Sequence, residues 1–491
     1  MSAAEQGRTQ PSIKKNFALS SLWQVLQIAS PFITAPYISR VLQPDGVGVY
    51  SYTRSVQMYF SLFAVLGTTA YGAREVSRER DDRESLSQTF WEIETLSVIT
   101  SSVVIAAWIF FALYAGKEYK VIYLILTMGL FSSMLDISWL YAGLEQFKYI
   151  VAKNSFFQVL GIVLQFVLVR GKDDLLVYVA VMAGTALLGN LSMWLPLRRF
   201  VSAPAFGRIR LGRHFRETLV YFIPAVATSL YTLLDKILIG ALTKNPDENG
   251  FYEQATQVIN VGKIITFAAV NQVVGSRIAY LHKEKKFDEI RARIDTSCRY
   301  IFFMGSAVAF GIAAVSDTFV PWFFGERFAG AAPLLRMLCP LIVIIGLSGL
   351  LGSHWYTPAG LRGKSALFIV AGAAVNILLT VVLIPRFGAL GAAVGTFCAE
   401  LVITLLYVAF CSGNLTPAQM LRNGWRNVLS GLVMFLAVRA MRSWDVEEPV
   451  LLLAQVCAGA LIYGAALFLL RDTFVTAQLK RVIGKARRKS A

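Results

Sequence analysis

Arg54, Lys236 and Lys263 are basic side chains set inside apolar runs, at 47–70, 219–243 and 254–280. Facing lipid at a helix centre, each would cost about 2.5–3.5 kcal/mol on insertion scales, so each is expected to face a polar interior. An intramembrane cation asks for an anion, and a phosphate or pyrophosphate head offers matching charge and several acceptor oxygens. The surrounding residues extend these sites into polar faces. Tyr50, Arg54, Gln57 and Ser61 fall at i, i+4, i+7 and i+11, a single stripe on a helix. Thr256, Asn260, Lys263 and Asn271 make a looser stripe. Ser229 and Thr232 share a face with Lys236, whereas Asp235 is rotated by about 100° and aligns with Tyr231 and Thr228. The structural alternative is that Arg54 and Lys236 snorkel to head groups, or that Lys236 pairs with Asp235. Lys263 is the deepest of the three, and snorkelling explains it worst.

Asp136, Asp235 and Glu400 are the carboxylates read as intramembrane. Burial raises a carboxyl toward the working pH range, so they are candidates for ion coupling, with a structural hydrogen bond between helices as the alternative. Arg277, Arg336 and Arg439 lie near span ends and read as interface anchors. Arg40, Asp45, Gly46 and Gly48 are expected to form a tight outer turn in which the glycines reverse the chain. Arg74, Glu75, Arg78, Glu79 and Arg80 read as a solvated amphipathic continuation of the second span. The histidines at 214, 282 and 354 are far apart in sequence, and five cysteines lack paired spacing. No catalytic residues, metal ligands or bound cofactor are expected, and no phosphate-binding loop or nucleophile elbow is present in the sequence.

These residues need membrane-spanning helices to position them. The 491-residue chain is 56% hydrophobic and only 16% charged, the composition of an integral membrane protein. A span takes roughly 20 apolar residues. Fourteen such runs, numbered here in order, lie near 16–39, 47–70, 91–114, 121–144, 151–169, 175–196, 219–242, 254–280, 296–316, 331–356, 365–384, 388–411, 425–441 and 450–470. The net charge of +17 is distributed along this topology rather than gathered in a soluble module. With the N-terminus inside, 32 of the 47 Lys and Arg residues lie on the inner side and 9 in outer loops. That is the positive-inside bias, and it favours an even number of spans with both termini cytoplasmic over a nucleic-acid partner. The first span is expected to be retained, being long and interrupted by Pro31 and Pro36.

The outer loops are too short for an extracytoplasmic catalytic domain, which argues against a polymerase or glycosyltransferase. A weak repeat relates Gly48-Val-Tyr50 and Gly72-Ala-Arg74 to Gly250-Phe-Tyr252 and Gly275-Ser-Arg277, suggesting two parallel copies of six spans. The expected layout is a cytoplasmic tail at 1–15, an N-lobe at 16–200 and a linker at 201–217. A C-lobe at 218–411, two further spans at 412–470 and a basic cytoplasmic tail at 471–491 follow.

The run Pro31-Phe-Ile-Thr-Ala-Pro-Tyr-Ile-Ser-Arg-Val-Leu42, then Gly46-Val-Gly-Val-Tyr-Ser-Tyr52, Leu66-Gly67, Tyr71-Gly-Ala-Arg-Glu75 and Arg80-Asp-Asp82, resembles the N-terminal signature of Wzx-type polysaccharide flippases. Leu234-Asp-Lys-Ile-Leu-Ile-Gly240, Phe324-Gly325 with Phe328, and Pro385-Arg-Phe-Gly-Ala-Leu-Gly-Ala-Ala393 with Glu400 agree with it. Two departures stand out: Leu233-Leu234 stands where the family often has Gln-Ile, and Ser276 where it often has Pro. The resemblance is to the multidrug/oligosaccharidyl-lipid/polysaccharide exporter superfamily. It implies an all-α integral membrane protein with about 14 transmembrane helices, in two six-helix lobes arranged as a V plus two C-terminal helices. It further implies a non-enzymatic flippase in the bacterial inner membrane. The substrate would be an undecaprenyl-pyrophosphate-linked oligosaccharide, moved from the inner to the outer leaflet by alternating access for O-antigen, capsule or exopolysaccharide synthesis. Arg54, Lys263 and Lys236, with Asn260, Gln57 and Tyr50, are the expected substrate contacts. Asp136, Asp235 and Glu400 are the candidates for proton or sodium coupling. Membrane lipids, a polysaccharide polymerase and a chain-length regulator are the implied partners. The rivals are a multidrug or organic-cation antiporter of the same superfamily and a lipid II flippase.

Overall fold

The computed structural model describes residues 13–203, 210–411 and 415–472, together with Phe474. Among the described residues every regular element is helical. The chain packs as two compact units, residues 1–237 and 238–491, divided within one long helix. The first unit holds α1 (Ile13–Val65), α2 (Thr68–Glu79), α3 (Arg83–Tyr114), α4 (Lys120–Met134), α5 (Ser138–Gly143), α6 (Phe147–Leu168), α7 (Leu175–Ser192) and most of α8 (Leu211–Thr243). The second holds α9 (Pro246–Lys283), α10 (Phe287–Phe324), α11 (Ala331–Leu338), α12 (Leu341–Leu351), α13 (Arg362–Phe387), α14 (Ala389–Ala409), α15 (Pro417–Ala440) and α16 (Glu448–Leu469).

Nine helical stretches among the described residues are long and apolar enough to cross a membrane, and they coincide with expected spans 3–6, 9–12 and 14. Spans 1 and 2 share α1, while spans 7, 8 and 13 fall on α8, α9 and α15. Large apolar side chains such as Phe110, Leu378 and Leu461 are 66%, 68% and 74% exposed. Apolar surface on that scale is suited to lipid, and helices satisfy their backbone groups internally there.

Three breaks in the first unit shape its polar interior. Within α1 the helix is interrupted at Gln43, which has φ 61° and precedes Pro44. Proline lacks an N–H and crowds the residue before it out of the helical region, so the break falls here. Gly46 and Gly48, expected to make this turn, instead lie in regular helix. Lys172 ties the break to the connection before α7 through Asp45 at 3.0 Å.

The second break, at Leu66 and Gly67, separates α1 from α2; Gly67 has φ 76°. A Cβ there would sit 2.8 Å from the Thr218 carbonyl oxygen and 2.9 Å from the Phe222 nitrogen of α8. Glycine thus meets both the left-handed backbone and the close approach of a neighbouring helix. Of the following charges, Arg74, Arg78 and Arg80 stay exposed as expected, while Glu75 does not. Tyr71, Gly72, Glu75 and Val76 turn inward on α2, and Glu75 is only 4% exposed. Its carboxylate gathers Arg74 at 3.3 Å, Arg78 at 3.2 Å and Arg213 of α8 at 3.9 Å. Packing of α2 on α3 and α5 buries this face, and the arginines supply its counter-charge.

The third break joins α4 to α5. Asp136 accepts a hydrogen bond from the Ser138 amide at 2.9 Å, and the Trp194 indole donates to the Leu135 carbonyl at 2.9 Å. Freed backbone groups at membrane depth need such partners. Below these breaks an aromatic core includes Tyr71, Phe90, Trp139 and Tyr141; a second cluster packs Tyr50 with Trp108 and Tyr123. In the second unit small residues bring α13 and α14 together, as is usual between membrane helices. A Cβ at Gly391 would meet the Leu383 carbonyl carbon at 2.6 Å.

Candidate functional site

The first unit encloses a cavity of about 480 Å3. Tyr50, Arg54, Gln57 and Ser61 of α1 all line it, so the stripe at helical spacing becomes one polar wall. Gly129, Ser132 and Ser133 of α4 contribute more of the lining, with Met58, Leu62, Met182 and Phe222 among its apolar members. The Arg54 guanidinium donates to the Tyr50 hydroxyl and its Cζ stands 5.6 Å from the Tyr50 ring centroid. Tyr50 is braced edge-on by Tyr178 at 4.8 Å between centroids. Gln57 donates to the Ser61 hydroxyl at 2.7 Å, and Ser133 donates to the same oxygen at 3.2 Å. A cation with exposed donor capacity is therefore set among hydroxyl and amide groups. Such a wall can accept phosphate oxygens at one point and sugar hydroxyls beside it.

Asp235 is buried on α8 and acts electrostatically on Tyr59 of α1. Lys236 follows it and is partly exposed. The side chains of Thr228, Ser229, Tyr231 and Thr232, which would complete those two faces, lie outside the described residues, as do those of Asn271 and Arg277. The second unit carries Asn260, exposed, and Lys263, half-buried, on α9. Within that unit Lys263 feels the charge of Glu400 on α14, which is 4% exposed. Arg336 and Arg439, expected as interface anchors, both meet Asp317: Arg336 hydrogen-bonds it, with Arg439 at 3.5 Å and Arg442 at 3.2 Å.

Several buried polar groups escaped the sequence reading. Glu92 and Glu94 lie inside the expected third span and add to the three intramembrane carboxylates singled out there; they are 6% and 2% exposed. Two acids near the start of an apolar run pass for a span end, but α3 begins at Arg83 and carries both into the packed interior. His214 is also no isolated histidine. Its Nδ1 lies 2.8 Å from the Tyr71 hydroxyl and its Nε2 lies 2.7 Å from Glu92 Oε2. Burial first, and the Glu75 carboxylate next, push the Tyr71 phenol up to about 12. A protonated phenol donates to Nδ1, which leaves Nε2–H to donate to Glu92. His282 in the second unit packs against Trp355 at 5.2 Å between centroids, and burial lowers its pKa.

The sequence profile of the family described as "Polysaccharide biosynthesis protein" matches residues 13–275, more than half of the chain and all of the elements that line the cavity. The chain belongs to this polysaccharide biosynthesis family. The resemblance read from residues 31–82 is thereby borne out at the level of the family. Two curated relatives are each named "Putative O-antigen transporter". One, from Shigella dysenteriae, is 22% identical over 397 residues, covering 80% of this chain and 98% of its own. The other, from Escherichia coli strain K12, is 20% identical over 410 residues, covering 82% and 97%. Among solved structures, the lipid II flippase MurJ in an inward closed conformation superposes with a TM-score of 0.69 at 12% identity. That match covers 93% of this chain and 99% of MurJ. A likeness at that identity shows a shared fold.

Proposed function

We propose that this protein is a flippase that carries an undecaprenyl-pyrophosphate-linked oligosaccharide from the inner to the outer leaflet of the bacterial inner membrane, feeding synthesis of O-antigen or a related surface polysaccharide. The observation that carries this reading is the cavity wall of the first unit, where Arg54, held by Tyr50, stands among Gln57, Ser61, Ser132 and Ser133. Arg54 would take the pyrophosphate, the amide and hydroxyls would take sugar hydroxyls, and the polyprenyl tail would remain in lipid. The names of the two O-antigen relatives support the substrate class.

Lys263 with Asn260 and Lys236 are the further substrate contacts in this proposal; the apolar runs support a fourteen-span arrangement, and the charge bias supports an even number of spans with both termini cytoplasmic. Asp136, Asp235 and Glu400 are the proposed groups for proton or sodium coupling. No bond is made or broken in the substrate, so the protein acts as a transporter, handing its product to a polymerase and chain-length regulator outside. An organic-cation antiporter would need an acidic or aromatic wall, which Arg54 opposes. The fold shared with MurJ favours a lipid II flippase as the second reading; it uses the same physics on a different glycan. Complementation of a flippase-deficient strain tests the proposal. Arg54→Glu, at normal membrane abundance, should abolish surface glycan, and undiminished glycan would sink the assignment of Arg54 as the pyrophosphate contact.

A further inference from the structure

Glu94 is the most anomalous charge-bearing group in the first unit. It is 2% exposed, and neither carboxyl oxygen has a hydrogen-bond partner among the described residues. A buried ionised carboxylate without a donor is strongly disfavoured, and burying it beside a second carboxylate is worse. Yet Asp136 is the charged neighbour that acts on it. The two acids are not equivalent. Asp136 accepts from the Ser138 amide at 2.9 Å and is within electrostatic reach of Lys153 on α6. Lys153 in turn donates to the Asn190 side-chain oxygen at 2.8 Å. Asp136 thus has a donor and a counter-charge, whereas Glu94 has neither.

The other elements packed on α3 do not supply the missing partner. The arginines of α2 converge on Glu75. Arg54 of α1 is held by Tyr50, and Tyr59 of α1 answers to Asp235. Glu92, on the same helix, is engaged by His214, Gln88 and the Arg210 amide. A metal cation is a poor occupant of a site that already holds the Lys153 side chain, which Asp136 reaches electrostatically. A proton removes the charge from Glu94 without adding one.

We propose that Glu94 carries a proton in this conformation, and that Glu94, Asp136 and Lys153 form a proton-binding site that couples the conformational cycle to proton movement. The site adjoins the cavity. Ser133, whose hydroxyl donates to Ser61 on the cavity wall, accepts a backbone hydrogen bond from Asp136 at 3.4 Å. Ser132, also in the wall, accepts from Asn190, the partner of Lys153. Discontinuous helices are where transporters commonly place coupling ions, and the α4–α5 break sits at Asp136. Release of the proton to water would leave Glu94 ionised in a buried position with no donor, so its enclosure must open or rearrange around the break. The proton on Glu94 rests on its burial and its lack of a hydrogen-bond partner; the coupling role rests on the flippase reading.

The test uses the full-length protein in lipid nanodiscs and infrared spectroscopy of the carboxylic-acid C=O band across a pH titration. Wild type should show a protonated carboxyl band near neutral pH that Glu94→Gln removes and Glu92→Gln leaves in place. Glu94→Asp, should the glutamine variant not fold, should shift the band without abolishing it. A band unchanged by either Glu94 substitution, or one displaced by Na+ at constant pH, would overturn the proton assignment. This readout needs no substrate, so it stands or fails separately from the flippase reading. In proteoliposomes a pH gradient should accelerate lipid-linked oligosaccharide movement by wild type and not by Glu94→Gln, and equal acceleration would overturn the coupling role.

Discussion

Replacing Arg54 by Gln removes a cation from the cavity wall while leaving a hydrogen-bonding side chain of similar reach. The guanidinium, which donates to the Tyr50 hydroxyl, is exposed, so its replacement should cost little folding stability. The loss should therefore fall on binding. A hydrogen bond to a charged group is worth about 1.5–3 kcal/mol net, which converts to about a 10- to 150-fold rise in Kd for a pyrophosphate-bearing ligand. Tyr50→Phe leaves the charge and removes only a tether that orients it, so its effect on Kd is indirect and should be smaller than that of Arg54→Gln. Arg54→Lys should fall between wild type and Gln, since it keeps the charge and loses the planar fork. Equilibrium binding of an undecaprenyl-pyrophosphate oligosaccharide to each variant in nanodiscs reads the series directly. Equal affinity of wild type and Arg54→Gln, or a Tyr50→Phe defect larger than that of Arg54→Gln, would refute the assignment of the pyrophosphate to Arg54.

Gly67→Ala should lower thermal stability in detergent by about 2–5 kcal/mol, from a left-handed alanine plus a Cβ forced against the α8 backbone, and an unchanged melting temperature would refute that close approach. Glu75→Gln leaves Arg74, Arg78 and Arg213 without their shared counter-charge; it should cost about 1–3 kcal/mol, discounted for the exposure of the arginines, measured by chemical or thermal unfolding. Asp82 caps α3 through the Glu84 amide at 3.0 Å and accepts from the Ser85 hydroxyl at 2.6 Å. The Ser85 hydroxyl first and the Glu84 amide next hold its carboxyl below the usual range. A lowered carboxyl contributes stability above its unfolded pKa and loses it as pH falls through its folded pKa. Asp82→Ala should therefore melt below wild type near neutral pH, with the gap closing on acidification.

Apolar runs, Arg54 and its stripe were legible because helical periodicity places i, i+4, i+7 and i+11 on one face whatever the tertiary packing. Among the described residues, nine of the expected spans appear as helical stretches apolar enough to cross a membrane, for the same reason. Breaks and buried pairs were harder to read. Pro44 marks the first break once Gln43 is known to leave the helix, but nearby glycines offered an equally local turn. Glu75 reads as solvated until α2 is known to pack on α3 and α5, and Tyr71, His214 and Glu92 come from three separate elements. Glu94 had a usable signal, a carboxylate more than two turns into α3. Its lack of a donor is a property of its surroundings and appears only in three dimensions.

The most direct measurement is transbilayer movement of a lipid-linked oligosaccharide by the purified protein in proteoliposomes, read as the fraction of glycan that becomes accessible to an external glycosidase. Wild type should equilibrate the substrate between leaflets, while Arg54→Glu, reconstituted at the same density, should move it no faster than protein-free vesicles. Movement by wild type no faster than protein-free vesicles, or equal movement by the two proteins, would contradict a flippase that grips its substrate through Arg54.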